Sequence, residues 1–191
     1  ISATNDQLLL SQSYPDGNDN QIKLITLTSF KSEVLIDEPG VIANKIAWHP
    51  IEATVAFTLG NYVNEDTRRR NHSLQLWKNE TLLTIESTNK EWTIGKTAKL
   101  SWSENGERLY FENRPKLAAK VKAKEFVDET SLYDIATIRD QRGLDVWHNK
   151  DPEIKPREKQ QWNAVNKHRH YEAVYHVNSQ KVVQLSTPAM P

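Results

Sequence analysis

The sequence predicts an all-β protein, a partial β-propeller of about three antiparallel blades with long inserted loops. The first observation is a repeat. Ala47-Trp48-His49-Pro50-Ile51-Glu52-Ala53-Thr54-Val55-Ala56-Phe57 aligns without a gap on Ser101-Trp102-Ser103-Glu104-Asn105-Gly106-Glu107-Arg108-Leu109-Tyr110-Phe111, so Trp48 matches Trp102 and Phe57 matches Phe111. A strand ending in Trp, a short turn and a second strand ending in an aromatic make a β-hairpin, and repetition on this scale marks propellers and related arrays. The second observation is period-two alternation in short stretches separated by turn residues, as in half-buried strands. The third is grouping: the block that opens with the first repeat copy holds four strands, the content of one propeller blade.

In chain order, Gln7 to Gln12 is the first strand, followed by the turn cluster Tyr14-Pro15-Asp16-Gly17-Asn18, where Pro fixes one backbone angle and Gly tolerates positive φ. Gln21 to Leu27 alternates polar and apolar residues, and Glu33 to Ile36 completes a set of three before Pro39-Gly40. The second block takes in the hairpin Lys45 to Leu59, a polar loop from Asn61 to His72, the alternating strand Leu74 to Trp77, a tight turn at Asn79-Glu80, and the strand Thr81 to Ile85. The third block has the hairpin Leu100 to Phe111, then Leu144-Asp145-Val146-Trp147 in the place of Leu74 to Trp77, then Tyr171 to Val177 and Lys181 to Leu185.

The blade-like units are thus about 1–44, 45–98 and 99–191, all in one domain spanning 1–191, with insertions at 112–143 and 149–167. An Ala and Lys-rich run, Lys116 to Lys124, is expected to form a short exposed helix, and a helical turn is expected around Glu158 to Val165. Long insertions in a blade gather on one face, often the working one. About three blades cannot close a ring, since closed propellers take roughly four to eight. Open blade edges follow, and the expectation is either that the rest of the ring lies outside this chain or that copies self-associate through those edges.

Composition narrows the function. The 191 residues carry 25 basic and 25 acidic side chains, so no global field draws in nucleic acid or an anionic membrane, and neither is expected as a partner. Cysteine is absent, which removes disulfides, thiolate nucleophiles and the common zinc-finger spacings. A mean hydropathy of −0.71 is low for a compact globule, so some stretches are expected to be solvated loop, and with no 18-residue apolar run for a transmembrane helix the chain is expected to be soluble, its compartment undecided. The chain opens on Ile1 and its single Met is Met190, so it is expected to be a domain or processed fragment of a longer product.

No catalytic machinery is legible. Gly-x-Ser-x-Gly does not occur, so the elbow that exposes a nucleophilic Ser is missing, and the six Gly stand singly rather than in a phosphate-binding loop. His168, His170 and Glu172 alternate along one stretch and would present three metal ligands on one strand face; the competing reading is a basic loop edge leading into a strand. Arg68-Arg69-Arg70 would grip a carboxylate or phosphate through paired guanidinium forks, or form a solvated loop tip beside Glu65 and Asp66. Trp48, Trp77, Trp102 and Trp147 end alternating strands and read as core between blades before they read as binding platforms. Asn71-His72-Ser73 and Asn79-Glu80-Thr81 match a glycosylation acceptor pattern and read as turn chemistry. No catalytic, cofactor-binding or metal residue is assigned, and no cofactor is expected.

Leu144-Asp145-Val146-Trp147-His148-Asn149-Lys150-Asp151-Pro152-Glu153-Ile154-Lys155-Pro156, followed by Tyr171 to His176 and Val182 to Leu185, resembles the N-terminal propeller of bacterial peptidases in the prolyl oligopeptidase family. In that family a DVWHWKDP-x-I-x-P-x-Q stretch follows a variable linker, and a Trp-Ser-x-x-Gly-x-Arg-Leu-x-Phe hairpin precedes it, as Trp102 to Phe111 does here. The resemblance covers about 100 to 185. Asn149 stands where the family has an aromatic, and Lys159 or Gln160 stands near the family's Gln.

The resemblance implies a parent serine peptidase whose Ser-Asp-His triad lies in a C-terminal α/β-hydrolase domain outside this chain. It implies that the propeller limits and shapes access of peptide substrates without supplying the nucleophile. The paired Glu that anchors a free amino terminus in dipeptidyl peptidases has no counterpart, because no Glu-Glu dipeptide occurs. The alternative is a stand-alone β-propeller module that binds or scaffolds a protein partner on its inserted loops.

Overall fold

The structure, a computed structural model, describes residues 2, 4, 6–15, 17–61, 72–116, 135, 157, 160–161 and 169–190. The chain divides into two compact units, Ile1–Lys116 with His170–Pro191, and Leu117–Arg169. In the second unit Ile135, Arg157, Gln160 and Gln161 are helical and exposed. Gln160 and Gln161 fall in the helical turn expected at Glu158 to Val165. The helix expected from Lys116 to Lys124, the strand Leu144 to Trp147 and Arg68 to Arg70 lie outside the described residues, save Lys116, which is in neither helix nor strand.

The first unit holds twelve strands among the described residues, all paired antiparallel. β1 (Gln7–Gln12), β2 (Gln21–Thr26) and β3 (Lys31–Asp37) form a three-stranded meander. Its β1–β2 turn closes where Gly17, at φ 73°, donates its N–H to the Tyr14 carbonyl at 3.0 Å. Asn20 then ties this meander to the next strand: its Oδ1 accepts from Tyr14 N at 2.9 Å and its Nδ2 donates to Val41 O at 3.1 Å.

The second blade is β4 (Val41–Trp48), β5 (Val55–Asn61), β6 (His72–Lys78) and β7 (Thr81–Ile85), paired in sequence order. The first repeat copy supplies the β4–β5 hairpin as the sequence predicts, with a register shift between Ala43 and Ile46. The β6–β7 turn is two residues long and both, Asn79 and Glu80, have positive φ of 50° and 59°. That is the mirror-image turn whose twist suits a hairpin.

The third blade departs from the sequence reading in two places. Its elements are β8 (Trp92–Ile94), β9 (Leu100–Trp102), β10 (Arg108–Pro115), β11 (Tyr171–His176) and β12 (Lys181–Gln184). Leu100 faces Phe111 as Ile46 faces Phe57, and Ile94 faces Asn113 as Ala43 faces Leu59. β8 and β9 are therefore one strand in the place of β4, and residues 95–99 stand where the second blade has its two-residue irregularity. Among the described residues the strand that takes the place of β6 is β11, which pairs directly with β10; the sequence reading gave that place to Leu144 to Trp147. An alternating Asp-Val-Trp pattern resembles Gln-Leu-Trp locally, but backbone pairing and not side-chain pattern decides a neighbour. A single pairing of Ile94 with His72 joins the second and third blades into one nine-stranded sheet.

Two hydrophobic cores lie between successive blades. Leu9, Ile22 and Leu24 of the first blade meet Val55, Phe57 and Trp77 of the second, with Trp48 packed against them. Ala56, Leu74, Leu76 and Ile85 of the second meet Leu109, Phe111, Ala173 and Tyr175 of the third, with Trp102 packed against them. Each large side chain buried in this way stabilises the stack by about 1.5 to 3 kcal/mol. The period of two explains the division, since alternate residues of β5 point to opposite neighbours. The blades are open in sequence at both ends: no strand among the described residues closes the first blade onto the third.

The two repeated hairpins touch each other. Their turns share one backbone bond, His49 N to Thr54 O at 2.8 Å and Ser103 N to Arg108 O at 2.9 Å. In the first copy the buried His49 accepts at Nδ1 from Ile51 N at 3.1 Å and Glu52 N at 2.9 Å, leaving Nε2 3.1 Å from the Gly106 carbonyl of the second copy. Trp102 returns the link, donating from Nε1 to Ala47 O at 3.0 Å, and stacks edge-on against His49 with ring centroids 4.8 Å apart.

Candidate functional site

The residues with chemistry beyond packing gather at the end of the blades opposite those hairpin turns. β5 ends at Asn61 and β6 begins at His72, while β10 ends at Pro115 and β11 begins at Tyr171. The two long connections of the unit thus leave and return at the same end of neighbouring blades. Leu59 faces Ser73 and Asn113 faces Tyr171, so His170 holds in the third blade the register position that His72 holds in the second.

β8 runs between these two histidines. Thr93 faces Arg114 and Ile94 faces His72, and the Thr93 hydroxyl donates to the His72 carbonyl at 3.3 Å. Gly95 follows, and a Cβ there would run into the His170 imidazole, so that ring lies directly against the glycine backbone. His72, Thr93 and Arg114 are buried, and Lys96 is exposed beside them.

Electrostatics at this rim favour neutral imidazole. Burial pushes the His72 pKa down to about 4, helped by the positive charges of Arg114 and Lys96. The guanidinium keeps its own charge at any ordinary pH. At neutral pH the rim therefore offers one fixed cation, one solvated ammonium and a neutral ring. This set suits recognition of carbonyl or carboxylate groups.

One strand step inward lies an amide pair, Asn113 buried and Gln184 half-buried. Asn113 Nδ2 donates to Gln184 Oε1 at 2.8 Å and Gln184 Nε2 donates back to Asn113 Oδ1 at 2.9 Å, while Ser87 Oγ lies 3.3 Å from Asn113 Nδ2. The second blade has Leu59 and Thr84 at these positions, so the amide pair is specific to the third. It fixes β10 against β12 immediately below the rim.

Of the sequence candidates, His170 and Glu172 are described and His168 is not. His170 packs on Gly95, Glu172 is exposed on β11, and among the described residues no three His, Cys, Asp or Glu side chains gather closely enough to hold a metal ion. Trp77 is buried in the first core, and Trp48 and Trp102 pack at the margins of the two cores; Trp147 lies outside the described residues. Ser73 and Thr81, of the two glycosylation-like triplets, sit in β6 and β7. Sequence reasoning missed His72, Gly95 and Arg114. A signal was present for the first: His72 precedes Trp77 by five residues as His170 precedes Tyr175, and aligning those two strands pairs the histidines.

No family model and no curated protein matches the chain. Among solved structures it is similar to TolB from Acinetobacter baumannii, with a TM-score of 0.46 and 10% identity over 98% of this chain and 31% of that one. The chain spans less than a third of the length of that protein. Among the described residues no helix is long and apolar enough to cross a membrane. The all-β, partial-propeller architecture stands on the strand pairing itself, with four strands in the second blade, the same plan in the third, and a core between each successive pair.

Proposed function

We propose that this chain is a non-catalytic propeller segment of a prolyl-oligopeptidase-type serine peptidase, limiting and shaping peptide access to a hydrolase domain outside it. The observation that carries the reading is the placement of the two long connections. Both return to the blades at one rim, beside His72, Arg114 and His170, and the longer one contains the Leu144 to Pro156 stretch on which the family resemblance rests. A rim at which two long connections leave and return to the blades is where an access filter of the parent enzyme would be built. The Arg114 guanidinium and the neutral His72 imidazole would steer the carbonyls and the carboxyl end of a short peptide.

The test uses the full gene product that contains this chain. A fluorophosphonate probe is expected to label one serine outside residues 1–191, and replacing 117–169 by a short Gly-Ser linker is expected to extend hydrolysis to longer peptides. Failure of the full product to take the probe would overturn the peptidase reading. A stand-alone binding module for a protein partner is the second reading, and the positive charges of Arg114 and Lys96 beside His72 favour an acidic partner for it.

A further inference from the structure

Asn105-Gly106 is the one Asn-Gly pair in the sequence, and it forms the tip of the second repeated hairpin. Asn105 is exposed, while Gly106 is buried with φ 71°. Both polar atoms of the Asn105 side chain are held. Oδ1 accepts from Ser103 Oγ at 2.7 Å and from Glu107 N at 3.2 Å, and Nδ2 donates to Glu107 Oε2 at 2.8 Å. The Ser103 hydroxyl is itself fixed, since it accepts from Arg108 N at 3.0 Å.

Two donors on Oδ1 draw electron density from Cγ, and they sit where negative charge collects when a nucleophile adds to that carbon. The adjacent nucleophile is the main-chain nitrogen of Gly106, and glycine lacks the Cβ that screens this nitrogen in other Asn-X pairs. Its addition forms an N–Cγ bond and breaks the Cγ–Nδ2 bond, which closes a five-membered succinimide. The side-chain nitrogen leaves as ammonia, taking the proton that Gly106 N gives up. Water then opens the ring at Cγ to give aspartate, or at the main-chain carbonyl of residue 105 to give isoaspartate. One contact opposes the attack, because Gly106 N donates to Ser103 O at 2.9 Å. Releasing one such bond at an exposed turn costs about a factor of ten in rate at most. A single oxyanion donor is worth about a hundredfold in a closed site, and two act here, so activation outweighs restraint even after solvent takes its share.

We propose that Asn105 is a site of spontaneous deamidation, activated by Ser103 and Glu107, and that isoaspartate formed there unlocks the bridge between the two repeated hairpins. The second half rests on what Gly106 carries. Its carbonyl lies 3.1 Å from His49 Nε2, and the His49 ring is so close that a Cβ on Gly106 would collide with it. Isoaspartate routes the main chain through the former side chain and adds one methylene just before Gly106. With no slack against the ring, the carbonyl is displaced and the buried His49 loses its acceptor. Such a change accumulates with the age of the chain and is independent of the function proposed above.

The experiment ages the 191-residue chain in warm neutral buffer beside the free peptide Trp102–Phe111, and follows residue 105 by peptide-mapping mass spectrometry with isoaspartyl methyltransferase labelling. Residue 105 is expected to convert at least as fast in the folded chain as in the peptide. Asn79, exposed on a tight turn but followed by Glu80, is expected to stay an amide. Ser103→Ala is expected to slow conversion by at least about threefold, and Ser103→Thr, which keeps the hydroxyl, to restore it. Slower conversion in the folded wild-type chain than in the peptide would overturn the activation, as would faster conversion in Ser103→Ala. If circular dichroism shows Ser103→Ala unfolded, the comparison of wild type with the peptide decides alone. The isoaspartyl fraction, separated by ion exchange, is expected to unfold at lower urea than the fresh chain. In His49→Ala, where the bridge is already gone, ageing should move the midpoint by less than about half as much. An isoaspartyl fraction with an unchanged midpoint, or an equal shift in His49→Ala, would overturn the unlocking.

Discussion

The imidazole of His49 bridges the two repeated hairpins, with Nε2 3.1 Å from the carbonyl oxygen of Gly106. Because Nδ1 accepts two backbone N–H groups, the ring proton sits on Nε2 and His49 is the donor in this bond. Ser103 holds the same turn position in the second copy and bonds only locally, accepting from Arg108 N at 3.0 Å and reaching Asn105 Oδ1 at 2.7 Å. The repeat is thus used asymmetrically: one copy reaches out and the other receives.

Gly106 is required at the receiving end on two counts. Its φ is 71°, and a Cβ would run into the His49 ring. Gly106→Ala is expected to destabilise the first unit by about 2 to 4 kcal/mol, combining left-handed backbone strain with overpacking. Urea unfolding followed by Trp fluorescence measures it.

Below the rim, Asn113→Ala takes the reciprocal partner from the half-buried Gln184 amide, whose Nε2 keeps the Glu172 and Ser186 carbonyls, and is expected to cost about 1 kcal/mol. The double substitution Asn113→Leu with Gln184→Thr copies the residues of the second blade and is expected to recover most of that loss. Thermal melts of the single and double variants compare the two.

At the rim, Gly95→Ala is expected to destabilise by about 1 to 3 kcal/mol through collision with His170. Coupling to His170 is the specific prediction. In a double-mutant cycle with His170→Ala the two effects should be clearly non-additive, since the alanine methyl then has room.

Stability depends on pH through His72. Its folded pKa of about 4 lies below the ordinary value of 6.5, so between these values the unfolded chain binds the extra proton. The contribution is complete above about pH 6.5 and is lost as the pH falls toward 4, by on the order of 2 kcal/mol once solvent screening is allowed for. Carboxylates titrate nearby, so the readout is a difference: denaturation of wild type and His72→Gln at pH 7 and 4.5, with the variant losing less on acidification.

The β6–β7 turn is open to improvement. Glu80 sits at φ 59° beside Asn79, and Asn-Gly is the preferred pair for such a turn. Glu80→Gly is expected to stabilise by about 0.5 to 1 kcal/mol, because relief of positive-φ strain exceeds the added freedom of the unfolded chain. A rise in the urea midpoint checks it.

Much of the fold was legible because alternation and turn chemistry are local. Gln7–Gln12 and Thr81–Ile85 have the ends the sequence predicts, and the two hairpin copies fold alike. The interrupted strand formed by β8 and β9 was hidden, since Gly95 to Lys99 breaks the pattern and only pairing with β10 reunites the halves. The rim was hidden for a related reason. His72, Arg114 and His170 are far apart in sequence, and the patterns that contain His72 and His170 point to glycosylation and metal binding, not to one another.

By itself the sequence determined the repeated hairpins, the antiparallel blades and the inward-facing aromatic and aliphatic positions, all of which follow from a period of two and from turn residues acting over a few positions. Only the tertiary structure decided which strands are neighbours, that His49 reaches across to Gly106, and that a buried histidine and arginine share a rim. Those facts depend on hydrogen-bond register between distant segments and on burial, which changes the charge state of a side chain without changing its identity.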